Sequence, residues 1–126
     1  MLLDTHALIW AVDDPAKLGP VAAMAINDPA NQLLLSAASI WELSIKVSLG
    51  KLTLSLPFRE WMDRAIADLG VALLPITVEY ADAAAHLPNH HGDPFDRMIV
   101  GQSHVEGMSV ASSDAILDKY HINRLW

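Results

Sequence analysis

A chain of 126 residues is long enough for one domain with its own core, and at that size roughly two thirds of the unfolded surface leaves water. Hydrophobic residues make up 52% of it, yet no run reaches the roughly 18 uncharged residues of a membrane span, and Asp4 interrupts the apolar N-terminus, so neither membrane nor signal peptide is expected. The absence of cysteine excludes disulfides and thiolate metal sites, suits a cytoplasmic location, and leaves only oxygen or imidazole to hold a metal, while a net charge of −7 opposes sequence-blind nucleic-acid binding through Lys and Arg.

The opening MLLD reads as a short buried strand, followed by a helix with Ala7, Leu8, Trp10 and Ala11 at helical spacing. PVAAMAIND predicts a second short helix stopped by Asn27, Asp28 and Pro29. QLLLS is a buried strand, and Ser36 is placed to cap the helix AASIWELSIKVSLG, which Gly50 closes. KLTLSLP alternates like a strand but ends at Pro57 and reads as a surface excursion. FREWMDRAIADLG is amphipathic, with Trp61, Met62, Ile66 and Leu69 along a core-facing stripe. VALLPI is a third strand and TVEYADAAAHL a helix with a Thr cap. PNHHGDP is a loop, PFDRMIVGQSHVEG a helix, MSVASSD a fourth strand with Asp114 at its end, and HINRLW a last short strand. Alternating strands and helices over one chain imply an α/β domain spanning residues 1–126, its parallel sheet covered on both faces.

Ligands of such sheets bind beyond the carboxyl ends of the strands, where strand order reverses. Asp4 and Asp114 fall at strand ends, though either also suits a turn or helix cap. Glu42 has an ordinary explanation as a solvated partner of Lys46 at i,i+4, worth about 0.2 to 0.5 kcal/mol. Against that, the large apolar residues around it leave its helix few exposed positions. Asp93 before Pro94 matches an N-cap, which explains it fully. Asp96 falls three residues later, where the helix dipole favours an acid without requiring one; from there it could project toward Asp4. Four ionised carboxylates about 6 Å apart would repel by roughly 2 to 3 kcal/mol per pair at a dielectric near 20, a sum comparable to the stability of a domain. Such a cluster must take up protons or bind a cation, and oxygen-only ligands favour Mg²⁺ or Mn²⁺, ions suited to phosphate chemistry.

LLDTHALIW, LSAASIWELSIKVSLGKL, DPFDRMIVGQS and ASSDAIL occur in that order along nearly the whole chain. Together they resemble the blocks of the PIN-domain ribonucleases, in particular the VapC-type toxins of type II toxin–antitoxin pairs. The resemblance implies a three-layer α/β/α fold around a parallel sheet of about five strands, and an acidic Mg²⁺ or Mn²⁺ site that hydrolyses RNA phosphodiesters. By motif match the family's acids fall on Asp4, Glu42, Asp96 and Asp114, with Asp4 and Asp96 as direct ligands and Glu42 and Asp114 orienting water or a second ion. Asp93 is an additional acid of the DPFDR block, and Ser112 keeps the hydroxyl that the family often supplies as Thr. It further implies a homodimer and a cognate antitoxin that masks the site.

Other polar residues have plainer readings beside functional ones. His86, His90 and His91 suggest imidazole ligation but read first as exposed loop residues. Arg97 could contact a phosphate or serve on the surface, Lys46 and Lys51 could meet substrate or solvent, and Thr5 and Ser39 could bond site carboxylates or cap helices. A receiver module would need an Asp after a central strand, which neither QLLLS nor VALLPI supplies. A haloacid-dehalogenase-like phosphatase would need an Asp where His6 stands. A catalytically silent binding module is the remaining alternative.

Overall fold

Leu2 and Leu3 are adjacent, both fully buried, and belong to two different apolar clusters. That is the signature of a strand covered on both faces. The computed structural model, which describes residues 1–126, builds a single five-stranded sheet from β1 (Leu2–Leu3), β2 (Leu34–Ser36), β3 (Ala72–Leu74), β4 (Val110–Ala111) and β5 (Arg124–Leu125). All four pairings are parallel, in the order β3-β2-β1-β4-β5. The crossovers carry α1 (Thr5–Asp13), α2 (Pro20–Asn27), α3 (Ala37–Ser48), α4 (Phe58–Leu69), α5 (Val78–Ala85) and α6 (Pro94–Glu106).

On one face, Leu3, Leu35 and Ala111 meet Leu8, Ile26, Leu43 and Trp61 from the first four helices. On the other, Leu2 and Val110 meet Leu87, Ile99, Val100, Leu117 and Tyr120. The layers are therefore α/β/α, as the alternation of elements predicts. Trp61 and Met62 of the amphipathic stripe are buried, and Ile66 and Leu69 pack partly against the same cluster.

The strands are shorter than the apolar runs that announce them. β3 stops at Leu74 because Pro75 has no N–H to continue the ladder. Leu52, Leu54 and Leu56 are half-buried and alternate with exposed Thr53 and Ser55, but no strand forms: the three leucines lie as a cover over the larger core. A 3-10 helix over Ala115–Tyr120, unannounced by any periodicity, follows β4. Inside α6, Gly101 sits where a Cβ would lie 2.9 Å from the backbone nitrogen of Ala84, so its missing side chain lets α5 and α6 approach closely.

Candidate active site

β1 and β4 are neighbours, and the winding of the chain changes direction between them: β2 and β3 extend the sheet on one side, β4 and β5 on the other. The crevice at that switch point is bounded by the residues immediately after these two strands. Asp4 follows β1 and caps α1, its Oδ1 accepting the Ala7 N–H at 2.7 Å. Asp114 caps the 3-10 helix, accepting the Ile116 N–H at 3.1 Å. Asp93 caps α6 through the N–H groups of Phe95 at 2.9 Å and Asp96 at 3.0 Å. Asp96 and Glu42 accept no backbone cap; they project from the first turn of α6 and the middle of α3. All five carboxylates line one cleft of about 170 Å³ with no apolar side chain in its wall; Thr5, His6, Lys46 and Ser113 complete it.

Hydroxyl groups hold several of these acids in place. The Thr5 hydroxyl donates to Glu42 Oε1, and Lys46 donates to Glu42 Oε2 at 2.9 Å. The Ser112 hydroxyl accepts the Asp114 N–H at 3.1 Å and stands close enough to Asp4 to favour its charged form. Burial raises the Asp4 carboxyl above the ordinary carboxylate range, against the Ser112 hydroxyl and the Ala7 N–H, and the charge of Glu42 raises it further. Asp96 is pushed up to about 6, first by burial and then by the neighbouring charge of Asp93. The hydrogen bond to Glu42 lifts the Lys46 ammonium above its usual value. Both carboxyl shifts run in the direction that burial and neighbouring negative charge impose on a carboxylate.

The donor set suits a hard divalent cation. Every acid in the cleft offers oxygen, and no three His, Asp or Glu side chains close into a preformed cage. A site with few direct protein ligands fits an ion that keeps several waters and takes phosphate oxygens as further ligands, as Mg²⁺ does.

Comparison with known proteins decides the lineage of this architecture. The profile of the PIN domain matches residues 1–123, nearly the whole chain. The chain belongs to the PIN domain family. Ribonuclease VapC22 of Mycobacterium tuberculosis is 30% identical over 115 residues, spanning 90% of this chain and 86% of that protein. Two solved structures share the fold: FitAB bound to an IR36 DNA fragment, with a TM-score of 0.65 and 21% identity over 98% of this chain and 92% of that one; and FitAcB from Neisseria gonorrhoeae, with a TM-score of 0.64 and 19% identity over 98% and 94%.

Within this PIN domain several polar residues depart from their plainest sequence readings. Glu42 does pair with Lys46, but it is only 5% exposed and sits in the cleft wall, so the pairing and the site placement coexist. Arg97 neither faces the cleft nor lies idle on the surface. Its guanidinium donates to the carbonyls of Ala84, Leu87 and Pro88 at 3.2, 3.1 and 2.9 Å, tying α6 to the end of α5. Ser39 is buried, but its hydroxyl has no partner and bonds no carboxylate. His86 and His90 are exposed, as expected, whereas His91 is not: its Nε2 lies 3.2 Å from Asp96 Oδ2. Lys51 is exposed. His6 is a cleft residue that sequence reasoning passed over; its position two residues after Asp4, on a helix starting at the strand end, was the available signal. Beside the cleft, exposed Trp41 meets Phe95 edge-on at 5.7 Å.

Proposed function

We propose that this PIN domain is a Mg²⁺- or Mn²⁺-dependent endoribonuclease and the toxin of a toxin–antitoxin pair. The observation that carries the reading is the convergence of Asp4, Glu42, Asp93, Asp96 and Asp114 on one apolar-free cleft at the switch point of a parallel sheet. The likeness to a protein named a ribonuclease supports RNA as the substrate. Asp4 and Asp96 are assigned as direct ligands, with Glu42 and Asp114 orienting water or a second ion. When bound, a divalent cation supplies positive charge to the reacting phosphate and lowers the pKa of water.

The chain's own residues prepare that chemistry. Asp96, with a carboxyl near 6, is mostly ionised at neutral pH and competent as a ligand. Thr5 and Lys46 engage both oxygens of Glu42 and fix its direction. Ser112 holds the Asp114 backbone at the end of β4 and stands beside Asp4 at the end of the adjacent strand. His6, exposed at the rim, is placed to meet a phosphate oxygen of the substrate.

A negatively charged cleft also favours inhibition by a basic antitoxin side chain, in keeping with the net charge of −7. Exposed Leu73, Ile76 and Val78, on and just after the edge strand β3, offer apolar surface to a second copy, in line with a homodimer. No helix is long and apolar enough to cross a membrane; a cytoplasmic, single-domain protein is the reading adopted.

The test is cleavage of labelled RNA by purified protein with Mg²⁺, Mn²⁺ or chelator, beside Asp96→Asn. Cleavage that needs the ion and is lost in the variant is expected. Full activity in chelator, or an unchanged rate in Asp96→Asn, refutes the site; RNA bound but uncut in either ion marks a binding module instead.

A further inference from the structure

We propose that His91 is a positioning residue for Asp96, locked in one tautomer by Tyr120, and that it sets the affinity of the cleft for its divalent cation. The inference rests on the assignment of Asp96 as a ligand made above.

His91 lies in the loop before α6 with its side chain only 19% exposed, and both ring nitrogens are engaged. Nε2 stands 3.2 Å from Asp96 Oδ2, and Nδ1 stands 2.6 Å from the Tyr120 hydroxyl. An ionised carboxylate only accepts, so Nε2 must carry the proton. In the neutral imidazole Nδ1 is then bare and accepts the Tyr120 O–H. The Tyr120 oxygen is itself approached by Arg97 Nη1 at 3.5 Å, and Arg97 has only hydrogens to give. The donors thus run in one direction, Arg97 to Tyr120 to His91 to Asp96, with no two protons or two lone pairs opposed.

This chain is rigid at its far end. Tyr120 is 2% exposed, closes the 3-10 helix that Asp114 caps, and has its carbonyl bonded by His104 Nε2 at 2.8 Å. The His90 ring lies edge-on to it at 4.9 Å. With both nitrogens occupied, His91 is not free to bind a metal itself. Its bond holds Oδ2 of Asp96, and no donor of the chain reaches Oδ1, the oxygen left for the cleft. Outer partners of this kind orient a ligating carboxylate, and their loss typically weakens metal binding by about 10- to 100-fold.

Two measurements test the proposal. Long-range ¹H–¹⁵N spectra of the metal-free protein should show His91 protonated at Nε2; protonation at Nδ1 alone overturns the arrangement. Mn²⁺ titration of the wild type, His91→Ala, His91→Gln, Tyr120→Phe and Asp96→Asn should then order the dissociation constants. His91→Ala should weaken binding by about 10-fold or more, His91→Gln, which returns an N–H donor, should recover most of the loss, and Tyr120→Phe should fall between. A wild-type constant in His91→Ala together with lost binding in Asp96→Asn overturns the proposal and leaves the site assignment standing. Unchanged binding in Asp96→Asn overturns the site assignment. Should His91→Ala fail to fold, the spectrum and the Gln variant still decide.

Discussion

Thr5 donates its hydroxyl to Glu42 across 37 positions of sequence, in buried surroundings. The bond joins the first turn of α1 to the middle of α3 and aims a carboxylate that no helix end requires. Thr5→Val keeps the shape and removes the donor, leaving a buried oxygen short of a partner. The expected result is RNA cleavage slowed by about 10- to 100-fold, with stability lowered by about 1 to 3 kcal/mol. Thr5→Ser should retain most of both. Single-turnover cleavage and denaturant unfolding check the pair.

Asp96 makes the metal-free protein sensitive to pH in a defined direction. Its carboxyl is pushed up to about 6 in the folded state against 3.8 for an unperturbed aspartate. Between those values the folded chain holds more protons than the unfolded one, so this group's contribution to stability is full below the lower value and is lost as pH rises through the upper. Burial shifts Asp4 in the same sense. In chelator, Asp96→Asn should therefore melt higher than the wild type at pH 7, with the difference vanishing near pH 4. Added Mg²⁺ should stabilise the wild type more at pH 7 than at pH 5, because protons compete for the ligand, and should not stabilise the variant. A variant that melts lower in chelator at pH 7 contradicts this account.

Arg97 should prove to be a structural residue. Three carbonyls at and beyond the C-terminal end of α5 share its guanidinium, a fork that a lysine ammonium cannot reproduce. Arg97→Lys is expected to lower stability by about 1.5 to 3 kcal/mol. RNA affinity, read by filter binding under conditions where both proteins are folded, should stay unchanged; a loss of affinity alone would restore Arg97 to the substrate surface.

Gly101→Ala sets two effects against each other. Alanine favours an isolated helix by about 1 kcal/mol. Its Cβ, however, would stand 2.9 Å from Ala84 N and 3.1 Å from Ala84 Cα, backbone atoms that cannot rotate away. Overpacking of this kind typically costs about 1 to 3 kcal/mol, so net destabilisation is expected by thermal or denaturant unfolding.

The parts of the site readable from the sequence are those with a local signature. Asp4, Asp93 and Asp114 each stand before a helix, and Glu42 is flanked by apolar neighbours that betray its burial. His91 carried no such mark: its meaning depends on Tyr120, 29 positions away, brought beside it by the packing of the 3-10 helix. The order of layers followed from alternating strand and helix patterns. Strand lengths did not, because apolar residues next to a strand can be buried by helices rather than by the ladder, as Leu33 before β2 and Val71 before β3 are.

Three of the five acids, Asp4, Asp93 and Asp114, each have one oxygen occupied by the start of a helix. A lineage that lost cleavage would still be selected to keep them, since each loss would fray a helix start, whereas nothing in the backbone protects Glu42 and Asp96. Across relatives, survival of the three capping aspartates is thus weak testimony to an active enzyme. The fate of the other two acids is the sensitive witness.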